Sequence, residues 1–223
     1  MAPRPRLQAV LFDLDGTLID SAPDLGGAGN ELRRRRGLAE LPLAAYRPMT
    51  GAGARGLLGV ALGVTPEHAE FEALKTEFLD TYEARMARET HVFADMEPVL
   101  AALEALALPW GIVTNKASRF AAPLVEALGL HRRSAVLICG DSAARAKPHP
   151  DPLLLAAERL GLAPASCAYV GDDLRDVQAG QAAGMLTIAA GWGYLGAGAP
   201  IEQWGADRLT NSPALLLKAL ELA

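Results

Sequence analysis

Short apolar runs alternate with helix-like segments along most of the chain. Five of these runs are apolar throughout, and such strands are typical of a parallel sheet with helices covering both faces. Glycines follow three of the helical segments, at Gly129, Gly161 and Gly184, where glycine commonly ends a helix. The pattern predicts strands at residues 8–12, 110–113, 136–139, 168–170 and 186–189, and helices at residues 97–106, 120–128, 152–160 and 174–183.

The interval between the first and second predicted strands is longer than a crossover needs, and its pattern is helical. Pro23 and Asp24 indicate the start of one helix, and Gly37 marks its end. A second long helix is predicted to begin at Pro66. Its apolar side chains recur at spacings of three and four residues, at Phe71, Leu74, Phe78, Tyr82 and Met86.

The two patterns together predict an α/β protein with a Rossmann-like parallel-sheet core. The core is expected to comprise residues 1–17 and 90–223. Residues 18–89 are expected to form a small helical domain that is inserted after the first strand. No internal repeat or low-complexity segment interrupts this organisation.

Polar motifs follow the first, second and fourth predicted strands, and another precedes a predicted helix. In open parallel sheets, ligands bind beyond the carboxyl ends of the strands, so we expect these motifs to share one edge of the sheet. In chain order the motifs are Asp13-Leu14-Asp15-Gly16-Thr17, Thr114-Asn115, Lys147-Pro148 and Gly171-Asp172-Asp173-Leu174-Arg175-Asp176.

The residue types in these motifs indicate a particular chemistry. Asp13, Asp172 and Asp176 would gather negative charge that is unfavourable without a cation, and oxygen ligands with room for water suit Mg²⁺. The hydroxyl of Thr114 and the ammonium of Lys147 would then face the oxygens of an anion. An acidic metal site beside a hydroxyl and a lysine suits phosphoryl transfer, in which positioning and charge neutralisation provide most of the catalysis.

The four motifs, in this order and at these spacings, resemble those of the haloacid dehalogenase superfamily of hydrolases. The resemblance implies that Asp13 is the nucleophile, which forms an aspartyl phosphate, and that Asp15 is the general acid and base. It also implies that Thr114, Asn115 and Lys147 hold the phosphoryl group. An acid at Asp15 favours a phosphatase over a true dehalogenase, because carbon–halogen cleavage needs no acid there.

The same resemblance implies a Mg²⁺ site formed by Asp13, Asp172 and the backbone carbonyl of Asp15, with support from Asp173 and Asp176. Asp173 and Asp176 have an alternative role, because either could cap the helix that is predicted to begin near residue 174. The Lys147-Pro148 bond could be cis, which would help to aim the lysine.

The inserted helical domain corresponds to the mobile cap of this family, and its position fits phosphatases of the phosphoglycolate type. Cap opening is expected to gate substrate entry and product release, with hinges near residues 18–20 and 88–93. Within the cap, residues 51–55, and Arg55 in particular, are the candidate substrate contact. The alternative for this segment is a flexible loop between helices.

Longer stretches indicate which substrate the chain takes. Residues 110–116, 170–176 and 204–207 are similar to those of bacterial N-acetylmuramic acid 6-phosphate phosphatases, which serve the recycling of cell-wall sugars. The alternative substrate is 2-phosphoglycolate. Both compounds carry a carboxylate that suits Arg55, and the small residues around Arg55 favour the larger sugar.

Two other functions are compatible with parts of the motif set. A sugar-phosphate mutase would keep the phosphate on the sugar instead of releasing it to water. A phosphoaspartate receiver module also groups aspartates with a threonine and a lysine, but the inserted helices and the second acid, Asp15, argue against it.

Charge and composition narrow the partners and the compartment. Hydrophobic residues make up 51% of the 223 residues, and the formal net charge is -5. This acidic balance argues against nucleic acid as a partner, and no apolar run is long enough to predict a membrane span. Cys139 and Cys167 are expected to be buried free thiols. We therefore expect a cytoplasmic monomer or homodimer that acts on a small phosphorylated metabolite.

Overall fold

The computed structural model describes residues 5–222, so residues 1–4 and 223 of the predicted core lie outside the described residues. The strands are β1 (Ala9–Phe12), β2 (Ile19–Asp20), β3 (His91–Val92), β4 (Trp110–Val113), β5 (Leu137–Ile138), β6 (Cys167–Gly171), β7 (Leu186–Ala190) and β8 (Arg208–Thr210). Six of them form one parallel sheet in the order β5-β4-β1-β6-β7-β8, and β2 pairs with β3 in an antiparallel ribbon. The predicted α/β fold with a parallel sheet is confirmed.

Within residues 5–222, helices alternate with the strands of the main sheet, as the sequence predicts. They are α1 (Ala22–Arg35), α2 (Leu43–Tyr46), α3 (Gly53–Leu62), α4 (Phe71–Glu83), α5 (Met96–Ala105), α6 (Ser118–Ala127), α7 (Asp151–Leu160), α8 (Leu174–Ala182) and α9 (Leu216–Ala219). Helices α5 to α8 are the four that the pattern predicts for the core. Gly129, Gly161 and Gly184 lie just after α6, α7 and α8 with positive φ angles, which confirms their role in ending these helices.

Strand β1 shows why the apolar runs are continuous. Val10 and Phe12 pack into the cluster that includes α5 and α6, whereas Ala9 and Leu11 pack into the cluster that includes α7 and α8. Successive side chains of a strand point to opposite faces of the sheet, and here helices bury both faces. Asp13 is the first polar residue after this buried strand, so the chain leaves the core at the point where the site begins.

Strand β8 is the one member of the main sheet that the sequence pattern does not predict. It lies at the edge of the sheet beside β7, and only its last residue, Thr210, is buried. Arg208 and Leu209 are partly or fully exposed, so the segment has no apolar run of the kind that marks the inner strands.

The interval between β1 and β4 is helical, but its elements differ in detail from the prediction. Helix α4 begins at Phe71 instead of Pro66 and ends before Met86. Local hydrogen bonds explain the late start, because the backbone N–H of His68 donates to the carbonyl of Thr65, and the backbone N–H of Glu70 donates to the His68 imidazole at 3.2 Å. These bonds hold the segment before Phe71 in turns.

Helices α2 and α3 are additions that the sequence pattern does not predict. The segment 51–55 is not a flexible loop, because a 3₁₀ turn over Arg47–Ala52 leads directly into α3. Its glycines and alanines hide the helical pattern, which becomes clear only at the buried residues Leu57, Leu58 and Ala61. These side chains pack with α1 and α4 in a separate apolar cluster.

The two predicted hinge segments lie side by side. Ile19 pairs with Val92 and Asp20 with His91 in the β2–β3 ribbon, and the backbone N–H of Phe93 donates to the carbonyl of Leu18 at 3.0 Å. The chain therefore enters and leaves the inserted helices through a single narrow ribbon. Among residues 5–222, no helix combines the length and apolar character that crossing a membrane requires.

Candidate active site

The residues of the four sequence motifs come together beyond the carboxyl ends of the inner strands. Asp13 follows β1, Thr114 follows β4 and Asp172 follows β6, while Lys147 reaches them from the loop before α7. These four residues and Asp15 line a cavity of about 490 Å³. Side chains of α1, α3 and α4 form the opposite wall of the cavity, so it lies between the sheet edge and the inserted helices.

Lys147 is the cation at the centre of this group. Its Nζ atom lies 2.8 Å from Oδ1 of Asp13 and 2.7 Å from Oδ1 of Asp176, and it donates to the Tyr169 hydroxyl at 2.6 Å. Burial opposes the charge of the ammonium, but the two carboxylates outweigh it and raise the pKa of Lys147. Lys147 is therefore a buried, fixed positive charge beside Asp13.

The acidic residues form a crowded cluster. Carboxylate oxygens of Asp13, Asp172 and Asp176 lie within 4.8 Å of one another. Burial raises the pKa of Asp13 to about 6, although Lys147 lowers it, and burial together with the charges of Asp13 and Asp176 raises the pKa of Asp172 well above its ordinary value. A cation would relieve this repulsion, and a cluster of carboxylate oxygens alone fits a hard divalent ion. The donor set is thus suited to a metal.

The Asp172 side chain packs directly against Gly16 and Gly193, where a larger residue would collide with it. The Thr17 hydroxyl donates to Oδ1 at 2.8 Å, and the backbone N–H of Tyr194 donates to Oδ2 at 2.7 Å. A Cβ atom on Gly16 would lie 2.2 Å from Oδ2, and one on Gly193 would lie 2.1 Å from the Cβ of Asp172. Gly16 also has a φ of +89°, which other residues rarely adopt.

Asp15 has a different set of partners from Asp13. The Ser21 hydroxyl donates to its Oδ1 at 2.5 Å, and Lys116 Nζ donates to the same carboxylate at 3.0 and 3.2 Å. The Lys116 side chain is buried and its ammonium lies over the ring of Tyr82, 4.7 Å from the ring centroid. Two carboxyl groups that line one cavity are thus held by separate cations.

Thr114 and Asn115 have different places in the site. Thr114 is buried at the cavity wall, and its hydroxyl accepts the backbone N–H of Lys116 at 3.1 Å. The amide of Asn115 bonds to both backbone groups of Lys147, donating to the carbonyl at 2.9 Å and accepting the N–H at 3.0 Å. The Lys147-Pro148 bond is cis. Asn115, predicted to bind phosphate, therefore uses its side chain to hold the loop that carries Lys147.

Asp173 and Asp176 take the helix-capping role that the sequence leaves open. The Asp173 carboxylate accepts the backbone N–H of Arg175 at 2.9 Å, and Asp176 accepts the N–H of Asp173 at 3.0 Å, which together form a capping box at the start of α8. Asp176 also belongs to the acidic cluster, whereas Asp173 does not. Asp173 instead pairs with the Arg175 guanidinium at 2.8 Å.

The structure does not place Arg55 in the cavity. Its side chain is exposed at the start of α3, and it is not among the cavity-lining residues, although the neighbouring Gly53 and Ala54 are. Sequence reasoning missed the cations that do line the cavity: Lys75, Lys116 and Arg175. Lys116 comes directly after the Thr114-Asn115 motif, which is the one signal that could have identified it.

Comparisons with known proteins agree with this geometry. A 41% identical relative, over 99% of this chain and 97% of its own, is the N-acetylmuramic acid 6-phosphate phosphatase of Pseudomonas aeruginosa. A phosphoglycolate phosphatase of Xanthomonas campestris pv. campestris is 48% identical over 94% of each chain. The crystal structure of a predicted phosphoglycolate phosphatase from Haemophilus somnus superposes with a TM-score of 0.83 at 27% identity, covering 96% of this chain and 98% of that one.

The family model for haloacid dehalogenase-like hydrolases matches residues 7–184, which include all four sequence motifs. This span runs from the segment before β1 to the end of α8, and it contains the nucleophile candidate, the cations and the acidic cluster. The chain therefore belongs to the haloacid dehalogenase-like hydrolases.

Proposed function

We propose that the protein is a magnesium-dependent phosphomonoesterase that acts through an aspartyl phosphate on Asp13, with N-acetylmuramic acid 6-phosphate as its substrate. The observation that carries this proposal is the pair Asp13 and Asp15, two carboxyl groups in one cavity with different partners. Asp13 lies beside Lys147 and the acidic cluster, and Asp15 lies beside Ser21 and Lys116. Different surroundings allow one group to act as nucleophile and the other as acid and base.

In the first step, a carboxylate oxygen of Asp13 bonds to phosphorus while the bond from phosphorus to the ester oxygen breaks. Asp15 gives a proton to that leaving oxygen, which departs as the alcohol of the sugar. In the second step, Asp15 takes a proton from water as the water oxygen bonds to phosphorus. The bond from phosphorus to Asp13 breaks, and inorganic phosphate is released.

The remaining site residues bind and orient the phosphoryl group. The Lys147 ammonium and the Thr114 hydroxyl, both at the cavity wall, would contact its oxygens. Asp13, Asp172 and the Asp15 carbonyl would hold Mg²⁺, which neutralises charge on the transferring group when it is bound. The Thr17 hydroxyl and the Tyr194 N–H keep the Asp172 carboxylate in place for this purpose.

The size of the cavity supports a sugar phosphate. Relatives of similar identity are named for two substrates, so identity alone does not choose between them. A two-carbon ester such as 2-phosphoglycolate would leave most of the roughly 490 Å³ unfilled, whereas a phosphorylated sugar acid would occupy it more fully. The phosphoglycolate phosphatases among the relatives keep 2-phosphoglycolate as the second candidate.

We further propose that residues 18–89 act as a cap that opens about the β2–β3 ribbon to admit the substrate. The proposed setting is the cytoplasm, where phosphorylated sugars are found, and the proposed assembly is a monomer or a homodimer. The sequence analysis predicts both the setting and the assembly, and the catalytic mechanism depends on neither.

The test is phosphate release by the purified protein with magnesium, measured side by side on the two candidate substrates. We expect kcat/KM for N-acetylmuramic acid 6-phosphate to exceed that for 2-phosphoglycolate by about tenfold or more, because only the larger substrate fills the cavity. The Asp13→Asn variant, which keeps the size of the side chain, serves as the blank.

A preference for 2-phosphoglycolate would contradict the substrate assignment and leave the phosphatase assignment intact. Substantial turnover by Asp13→Asn would contradict the covalent mechanism. Phosphate that moves to another position of the sugar, without release to water, would identify a mutase.

A further inference from the structure

Most of the positive charges that line the cavity are already neutralised by site carboxylates. Four cationic side chains appear among its lining residues, and three of them pair with acids of the same cavity. Lys147 pairs with Asp13 and Asp176, Lys116 with Asp15, and Arg175 with Asp173.

Lys75 is the exception among the described lining residues. Its ammonium lies 3.2 Å from Glu72, and the two side chains are 41% and 79% exposed. An ion pair this exposed contributes little to stability, and a ligand anion can replace the glutamate at small cost. Lys75 is therefore the cavity cation that is available to a second anionic group of the substrate.

The face of α4 that carries Lys75 forms one wall of the cavity. Four residues of this face, spaced by three and four positions, line it: Lys75, Phe78, Leu79 and Tyr82. Two helical turns, about 10.5 Å, separate the backbone of Lys75 from that of Tyr82. The wall is thus cationic at one end, apolar in the middle and aromatic at the other end.

Tyr82 marks the catalytic end of this wall. Its ring lies beneath the Lys116 ammonium that holds Asp15, and 5.7 Å from the ring of Phe120. The Tyr82 hydroxyl is buried, and burial raises its pKa although the neighbouring Lys116 ammonium lowers it.

We propose that Lys75 binds a carboxylate of the substrate, at a distance from the phosphate that is set by the length of the α4 wall. This inference rests on the proposed function and deepens it, because it names the feature of the substrate that the cap recognises. Leu79, the partly exposed apolar residue between Lys75 and Tyr82, would face the nonpolar side of a sugar ring. The preferred substrates therefore carry their phosphate and their carboxylate on non-adjacent carbons of a ring, several ångströms apart.

This arrangement distinguishes the two candidate substrates. In N-acetylmuramic acid 6-phosphate, the lactyl carboxylate and the phosphate are attached through different, non-adjacent ring carbons, so the carboxylate can reach Lys75 while the phosphate is beside Asp13. In 2-phosphoglycolate, the carboxylate adjoins the ester carbon and stays at the catalytic end. Lys75 thus takes the role that the sequence assigns to Arg55.

The test compares two sugar phosphates that differ only in the lactyl group. N-acetylglucosamine 6-phosphate has the same ring and phosphate as N-acetylmuramic acid 6-phosphate but no carboxylate. We expect Lys75→Ala to lower kcat/KM for N-acetylmuramic acid 6-phosphate by about tenfold or more, mainly through KM, because a charge-assisted contact is lost. The kcat/KM of the same variant for N-acetylglucosamine 6-phosphate should stay within about twofold of the wild-type value, which would also show that the variant is folded.

Two further variants complete the comparison. Lys75→Arg keeps the charge and should retain most of the preference for the carboxylate-bearing sugar. Arg55→Ala removes an exposed cap cation outside the cavity and should leave the preference unchanged.

An equal loss on both sugars, no loss on either, or a lost preference in Arg55→Ala would each overturn the assignment of Lys75 alone. A wild-type protein that releases phosphate from neither sugar would overturn the proposed substrate and the Lys75 assignment with it.

Discussion

Asp13 and Asp15 lie two positions apart in the chain, yet among the described residues their carboxyl groups pair with different cations. Lys147 comes to Asp13 from the loop before α7, and Lys116 comes to Asp15 from the end of β4. Asp13 directly follows β1, whereas Asp15 lies in the turn that comes next. Such a difference is what a nucleophile and a general acid in one site require.

The motif residues were predictable because each one directly follows or precedes an element with a clear hydrophobic pattern. Lys116 and Lys75 were not predictable in the same way, because a lysine after a strand or on a helix is usually exposed to solvent. Arg55 is the opposite case, because the sequence makes it the candidate substrate contact, with a flexible loop as the alternative, and the structure places it exposed on a helix.

The close packing of Gly193 against Asp172 gives a prediction at the residue scale. Gly193→Ala adds a Cβ atom where only 2.1 Å separates it from the Cβ of Asp172, so the carboxylate has to move. We expect the magnesium concentration for half-maximal activity to rise by about tenfold or more, as is usual when the support of a metal ligand is changed. The measurement is a magnesium titration of phosphate release.

Gly198→Ala is the matched control, because a Cβ atom on Gly198, in the same loop, would meet no described residue within 4 Å apart from its chain neighbours. An unchanged magnesium requirement in Gly193→Ala would show that Asp172 is not a ligand of the metal.

At the scale of elements, buried apolar patterns were predictable and short or polar elements were not. The inner strands and the helices α5 to α8 each bury an apolar face, which leaves a clear trace in the sequence. Strand β8 is short and partly exposed, and α3 begins in a glycine-rich segment. The positions of β8 and α3 depend on packing against distant parts of the chain, and the hydrophobic pattern of a local segment does not predict such packing.

Asp24 shows how one side chain joins elements that are far apart in the sequence. The sequence indicates only that Asp24 belongs to a helix start, but in the structure its carboxylate is fully buried in α1. It accepts the backbone N–H groups of Glu89 and Thr90 at 3.0 and 2.9 Å, and the Thr90 hydroxyl at 2.8 Å. Asp24 thus fixes α1 to the segment that returns to β3.

We predict that Asp24→Ala lowers the free energy of unfolding by about 2–4 kcal/mol, because it leaves the buried Thr90 donors without an acceptor and the Arg85 guanidinium without its carboxylate at 3.4 Å. Denaturant unfolding followed by circular dichroism measures the change. Glu72→Ala removes an exposed acid from the first turn of α4 and should change the same quantity by less than about 0.5 kcal/mol. Equal effects of the two substitutions would contradict the role given to Asp24.

At the scale of the whole molecule, the site is complete only because the inserted helices lie against the sheet edge. Arg175 donates to the carbonyl of Gly51 at 2.7 Å, and the Lys116 ammonium lies over the ring of Tyr82. On the outer surface, Arg119 pairs with Asp80 at 3.0 Å. None of these contacts could be predicted from the sequence, because each joins the core to an inserted segment whose orientation no local pattern specifies.

The most direct measurement of the central claim, that Asp13 carries the phosphoryl group during turnover, uses the Asp15→Asn variant with p-nitrophenyl phosphate and magnesium. The leaving group of this ester needs no proton, so the first step can proceed, while the second step lacks its base. After an acid quench, mass spectrometry of peptides should find the phosphoryl group on the peptide that contains Asp13, and the variant that also carries Asp13→Asn should show none. Release of p-nitrophenol without a phosphorylated Asp13 peptide, or a phosphoryl group on another residue, would contradict the account.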